Sequence, residues 1–222
     1  TKDLINDFKK NSELKIIHSW QKDIGFRAAR SRNNAILKST GEYIVLIDGD
    51  TILHCDFIKD HIMNAEPGNF VQGKRSLISK KQTNKALIEK KINFSFFSSG
   101  LKNRKNSIHS NLLSSFFSND KNHLSGIKSC NMAFYKKDCM QINGFNNQFE
   151  GWGREDSEFV VRLINSGVKR KSVRFNAIQF HLWHNENSRI SLERNDVILD
   201  DAINNRIQWC ENGINSIEKN EG

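Results

Sequence analysis

One stretch limits this chain more than any other: Tyr43-Ile44-Val45-Leu46-Ile47, running straight into Asp48-Gly49-Asp50. Five consecutive apolar or aromatic residues, three of them β-branched, predict a buried strand of a parallel or mixed sheet. Strands of that kind build α/β folds, in which ligands bind beyond the carboxyl ends. Here that end carries two carboxylates around a glycine, so both can reach one cation with little backbone strain. Carboxylate oxygens suit Mg²⁺ or Mn²⁺, and through such an ion they would hold a nucleotide diphosphate. Asp-Gly is also a common turn; the hydrophobic strand leading into it is what favours the metal.

A second acidic element, Trp152-Gly153-Arg154-Glu155-Asp156, lies between the turn Asn143-Gly144-Phe145 and the amphipathic run Phe159–Ile164. That run stops at Ser166-Gly167, which puts both acids in the first turn of a helix, where the dipole favours negative charge. The Trp-Gly pair supplies a flat apolar platform and a hinge. Taken alone, these acids describe an ordinary capped helix. Downstream, Phe180-His181-Leu182-Trp183-His184 adds imidazoles, which are good Mn²⁺ ligands and poor partners for Mg²⁺. Two carboxylates and an imidazole would leave room for two phosphate oxygens.

In combination and in order, these motifs resemble a known family. Cys130-Asn131-Met132-Ala133-Phe134-Tyr135, Ile142-Asn143-Gly144-Phe145 and Gly151 through Glu158 are similar to the C-terminal half of β-1,4-galactosyltransferases. Bacterial family 2 glycosyltransferases, including chondroitin-type polymerases, share that half. Asp23-Ile24-Gly25-Phe26-Arg27 through Asn33, and Gly41 through Asp50, resemble the donor-binding half of the same GT-A fold. The likeness covers Lys15 to Arg189, interrupted by one long segment.

The resemblance implies roles residue by residue. Asp50 is the direct metal ligand, and Asp48 touches the nucleotide ribose or the metal. Asp156 is the general base, Glu155 binds sugar hydroxyls, and Trp152 is an aromatic wall of the acceptor or donor site. Gly153, Asp23 and Asn131 fall among the substrate-binding positions. A late histidine completes the metal site: His184 by the spacing of the animal enzymes, His181 by that of the bacterial polymerases. Arg32 or Arg30 is placed to hold phosphate, although most arginines on such a helix are solvated. The implied cofactor is Mn²⁺, with Mg²⁺ the alternative, and the implied donor is a UDP-sugar. One base opposite the leaving group implies direct displacement with inversion, onto a glycan or lipid-linked glycan of a lipopolysaccharide or capsule.

Members of the GT-A family open on a strand reading like Val-Ile-Ile-Pro-Thr-Tyr-Asn, then a helix and a second strand whose acid holds the base. Nothing similar is found here, so the expected fold is an α/β GT-A arrangement, mixed sheet flanked by helices, truncated at its N-terminus. The expected order is a short strand at Leu14 to Ile17, a helix from Ile24 to Lys38 and the strand into Asp-Gly-Asp. There follow a helix from Asp56, strands near Phe70–Gln72 and at Asn131–Tyr135, and the helix after the Trp-Gly loop. A strand over Ser172–Phe180 and a helix from Asn195 to Cys210 close the chain. The 222 residues suit one domain. Its parts are a donor and metal portion (1–73), a basic-aromatic insertion (74–128), an acceptor and catalytic portion (129–190) and a C-terminal helix (191–222).

The insertion alternates Lys80-Lys81, Lys90-Lys91 and Lys102 through Lys105 with Phe94 through Phe97 and Phe116-Phe117. It reads either as two helices packed by their Phe and Leu residues or as a contact for an anionic membrane. A net charge of +9 suits a membrane surface or an acidic glycan. Nucleic acid would also attract such charge, but it leaves Asp-Gly-Asp and Glu155-Asp156 without a role. A metal phosphohydrolase would gather more acids around two ions. A remnant that binds sugar without transfer is the remaining rival. Four cysteines without ligand spacing fit a reducing cytoplasm, with the protein peripheral on the inner face of the plasma membrane.

Overall fold

The computed structural model describes residues 1–120, 122–185 and 188–217. In chain order these form α1 (Lys2–Lys10), α2 (Ala28–Lys38), β1 (Tyr43–Ile47), β2 (Thr51–Leu53), α3 (Phe57–Asn64) and β3 (Asn69–Gln72). The insertion contributes β4 (Arg75–Ile78), α4 (Lys80–Glu89), β5 (Leu101–Lys102), a 3₁₀ turn (Arg104–Ser107), α5 (Asn111–Phe117) and β6 (Asn119–Asp120). Then come β7 (Asn131–Tyr135), α6 (Lys136–Gln141), α7 (Glu155–Asn165), β8 (Lys169–Ser172), β9 (Gln179–His181) and α8 (Leu192–Asn204).

Two mixed sheets result, one ordered β1-β7-β3-β8-β6 and the other β2-β9-β4-β5. In the first, only β3 and β8 run parallel; the other pairs are antiparallel. Period-two alternation sends Met132 and Phe134 to one face, where they meet Ala29 and Ile36 of α2 and Phe159, Val160 and Leu163 of α7. The opposite face carries Val71 and Ala133 against Phe57 of α3. A sheet covered on both faces explains why every residue of β3, and every residue of β7 but Tyr135, is buried.

Several expectations are corrected. β1 forms over the expected residues but lies at a sheet edge, half-buried, paired with β7 alone. No strand forms at Leu14 to Ile17, where Leu14 is 77% exposed; no neighbouring strand receives its backbone groups. α2 starts at Ala28, after Gly25 at φ 72°, and the helix expected from Asn195 to Cys210 spans Leu192–Asn204 instead. The strand expected over Ser172–Phe180 is instead two strands in different sheets. Between them Phe175 and Ala177 take φ of 63° and 51°, conformations a strand cannot contain, and the Ala177 N–H donates to the buried Asp60 carboxylate at 2.8 Å. Among its described residues the insertion holds two α-helices, as one reading had it, but not packed by their Phe and Leu residues, since Leu87 and Leu112 are 63% and 69% exposed. The insertion also supplies β4 and β5, half of the second sheet. Its Phe94 is core, whereas Phe97 and Phe116 are 86% and 76% exposed.

Candidate active site

A cleft of about 1320 Å³ opens where the ends of β1 and β9 meet the start of α7. Asp23, Arg32, Asp48, Asp50, Trp152, Glu155, Asp156, His181 and His184 line it. Two strand ladders account for most of that convergence. Thr51 faces His181 in the β2–β9 register, and the Leu182 N–H donates to the Asp50 carbonyl at 2.9 Å. The tight turn Asp48-Gly49-Asp50 is therefore clamped beside the histidines. Ile47 faces Asn131 in the β1–β7 register, which brings the residues before β7, Ser129 and Cys130, to the same cleft.

At the first ladder His184 Nε2 lies 3.1 Å and His181 Nε2 3.4 Å from Asp50 Oδ2. A donor atom from each of the three lies within 4.8 Å of the others. His184 Nδ1 contacts the Asn185 carbonyl at 2.7 Å; donating its proton there leaves Nε2 with a lone pair aimed at a carboxylate. Two acceptors facing one another call for a cation between them. Asp50 Oδ1 is buried without a partner, which adds to the same demand. Burial, with Arg75 nearby, holds His181 below the usual imidazole range and so keeps it in the ligating, neutral form. The donor set, two imidazoles and a carboxylate, fits Mn²⁺ better than Mg²⁺.

At the other end Glu155 and Asp156 occupy the first turn of α7. The approach is sharp: Gly151, Gly153 and Arg154 all have positive φ, and a side chain on Gly151 would meet Ser191 Oγ at 2.3 Å. α8 fixes this loop, because Asn195 Nδ2 donates to the Gly153 carbonyl at 2.9 Å and Arg154 Nε to Asp196 at 2.5 Å. Trp152 consequently stands 40% exposed in the cleft wall, with the Arg189 guanidinium 5.4 Å from its ring. Asp156 Oδ2 accepts the Ser129 N–H at 3.3 Å. Burial and the neighbouring Glu155 push the Asp156 carboxyl up to about 6, against the pull of Arg32.

Arg32 joins the two ends. Its Nη1 donates to Glu155 Oε1 at 3.0 Å and its Nη2 lies 3.9 Å from Asp48 Oδ1. Asn33, the next residue, bonds both the N–H and the carbonyl of Phe145, which seats α2 on the turn before the Trp-Gly loop. Burial holds the Asp48 carboxyl above the usual range, with Arg32 opposing and Asp50 reinforcing the shift.

Two expected substrate contacts are not in the cleft. Asn131 is 1% exposed; its amide donates to the carbonyls of Lys74 and Ala177 and its oxygen faces His61 Nε2 at 3.0 Å. It ties the two sheets together. Gly153 is not among the cleft-lining residues; it takes φ 104° beside Leu192 and shapes the loop. Of the two candidate arginines, Arg32 faces the cleft and Arg30 does not. Arg75, Lys102, Lys128, Ser129 and Arg189 also line it without having been expected. The only sequence signal for Lys128 and Ser129 was their place just before the β7 strand.

A family model described as glycosyl transferase family 2 matches residues 1–138. The chain belongs to that family. A second model, described as the N-terminal domain of galactosyltransferase, matches residues 113–185, the segment that carries Trp152, Glu155 and Asp156. With its mixed sheet flanked by helices, the chain has the GT-A fold. Among solved structures it is similar to GalNAc-T7 with UDP, GalNAc and Mn²⁺, at 9% identity and TM-score 0.49, over 72% of this chain and 31% of that one. A mutant Drosophila β1,4-galactosyltransferase 7, in complex with manganese, UDP-Gal and xylobiose, matches at 17% identity and TM-score 0.41, over 78% of this chain and 55% of that one. The chain thus spans less than two thirds of either protein. No curated protein gives a sequence match.

Proposed function

We propose that this chain transfers a hexose or N-acetylhexosamine from a UDP-sugar to a hydroxyl of a surface glycan, with inversion. One observation carries the reading: a single cleft holds a carboxylate-imidazole ligand set at one end and a buried carboxylate with a raised pKa at the other. Asp50, His181 and His184 would hold Mn²⁺, which supplies a counter-charge for a departing diphosphate. Asp156 accepts the proton of the acceptor hydroxyl, and its environment brings its affinity for protons close to neutral pH, where a base works best. Glu155, paired with Arg32 at 3.0 Å, binds sugar hydroxyls. Trp152 offers an apolar face for a sugar ring. One base, Asp156, set across the cleft from the metal end that would hold the leaving diphosphate favours a single displacement and inversion at the anomeric carbon.

The acceptor we infer is a lipopolysaccharide or capsule glycan, reached by a protein lying on the cytoplasmic face of an anionic membrane. Exposed Phe97 and Phe116 beside the lysines of the insertion support that contact. The protein should sediment with anionic liposomes and release at high salt; binding indifferent to lipid charge removes the membrane from the proposal. The transfer itself is tested by UDP release from a panel of UDP-sugars with Mn²⁺ and glycan acceptors. No acceptor-dependent release from any UDP-sugar would defeat it.

A further inference from the structure

The two largest fully buried side chains are both arginines, and they are treated in opposite ways. Arg162 is satisfied throughout: Nε and Nη2 donate to the two oxygens of Glu158 at 2.7 and 2.9 Å, and the carbonyls of Ile142 and Gly144 take the rest. Arg170, on β8, has no acidic partner among the described residues. Only Nη1 is engaged, by the carbonyls of His123 and Ser125 and by His123 Nδ1, while Nε and Nη2 have no partner. An uncompensated guanidinium at 0% exposure is among the most unfavourable features a fold can keep.

It is not alone. Lys74, half-buried, is held below the usual lysine range by burial and by Arg170, Arg174 and Lys128 around it. None of these four cations has an acidic partner among the described residues. Ser172 lies two residues beyond Arg170 on the same face of β8, and its buried Oγ is also without a partner. The niche reaches the active site through Lys128, which lines the cleft, and through Ser129, whose N–H bonds Asp156. Lys128 is the one of the four that lines the cleft. The Lys74 ammonium lies 3.8 Å from where a side chain on Gly126 would begin, and Arg170 holds the neighbouring Ser125 carbonyl. Positive charge and unused donors thus gather around the loop that leads to the base, a place built for negative charge.

We propose that this niche takes an anionic substituent of the acceptor, a carboxylate, sulfate or phosphate on the sugar adjoining the one that receives the transferred residue. The assignment rests on the transferase reading above and specifies its acceptor class. Lys74 and Lys128 meet the anion directly. Arg170 acts from beneath through its field, which the surrounding low dielectric screens little. Charge-assisted contacts of this kind are stronger than neutral ones, so an acidic sugar gains where a neutral one does not.

The test is direct binding to the whole chain, without donor or metal, by calorimetry. Its probes are p-nitrophenyl β-glucuronide, neutral p-nitrophenyl β-glucoside and inorganic sulfate. The glucuronide should bind at least about tenfold more tightly than the glucoside. In the double variant Lys74→Gln, Lys128→Gln that advantage should vanish, while Asp156→Asn should retain it. Equal affinities for the two glycosides would overturn the proposal, as would a charge preference that survives the double variant. Competition by sulfate without any gain for the glucuronide would mean a free-anion site and would likewise overturn it. Because no transfer is involved, a failed transferase assay with an intact charge preference marks the failure of the catalytic reading alone.

Discussion

Arg32 Nη1 donates to Glu155 Oε1 at 3.0 Å, joining residues 123 positions apart in the chain. With Nη2 3.9 Å from Asp48, the guanidinium sits between the acid of the nucleotide end and the acids of the acceptor end. Phe145 supports it from below, 5.4 Å away, and Phe145 is itself stacked on Phe159 of the core at 4.0 Å. A core stack thus sets the position of a charge in the cleft. Arg32→Gln keeps a polar side chain and removes the charge that opposes the rise of the Asp156 pKa. The acid limb of the pH–rate profile should move up by about one unit. An unmoved limb would mean that Arg32 organises Glu155 without influencing the base.

Asp156 must be ionised to take a proton, and its carboxyl is pushed up to about 6. Below that pH the proton stays on Asp156 and the base is lost. Activity should therefore rise with pH, with kcat/KM falling about tenfold per unit on the acid side. Asp156→Asn, isosteric but unable to accept a proton, should lower kcat by ~10²–10⁴-fold with little change in donor affinity. A defect confined to KM would make Asp156 a positioning residue.

Asp50 is held by the β2–β9 ladder through its backbone, so its carboxylate is free to serve a ligand. Mn²⁺ should raise the melting temperature of the wild-type chain, and Asp50→Ala should abolish both that rise and transfer while leaving the unliganded melting temperature nearly unchanged. His181→Ala and His184→Ala should each weaken Mn²⁺ binding, read by titration calorimetry. Full activity in excess chelator would exclude the metal.

His61 is 0% exposed, its Nε2 3.0 Å from Asn131 Oδ1, and burial holds its pKa down to about 4. The unfolded chain therefore binds a proton between about pH 6.5 and 4 that the folded chain refuses. Stability from this residue is complete above the unfolded value and is lost as pH falls through the folded one, amounting to about 3 kcal/mol. His61→Gln retains a donor toward Asn131 and should flatten that acid limb in urea denaturation. An unchanged pH dependence would place the acid sensitivity elsewhere.

What the sequence determined by itself was whatever local pattern encodes. The apolar run Tyr43–Ile47 specified β1, the run Asn131–Tyr135 specified β7, and the amphipathic stretch ending at Gly167 specified α7 with its two acids in the first turn. Period and punctuation are properties of neighbouring residues, so a single chain displays them. Pairing is not such a property. Only the tertiary structure decided that β1 would stand at an edge, and that residues 169–181 would divide between two sheets at Phe175 and Ala177, delivering His181 opposite Thr51 and beside Asp50. The same long-range registers withdrew Asn131 into a buried joint and carried Lys128 and Ser129 to the base. Both outcomes depend on hydrogen bonds between segments far apart in sequence, whose partners no local period can name.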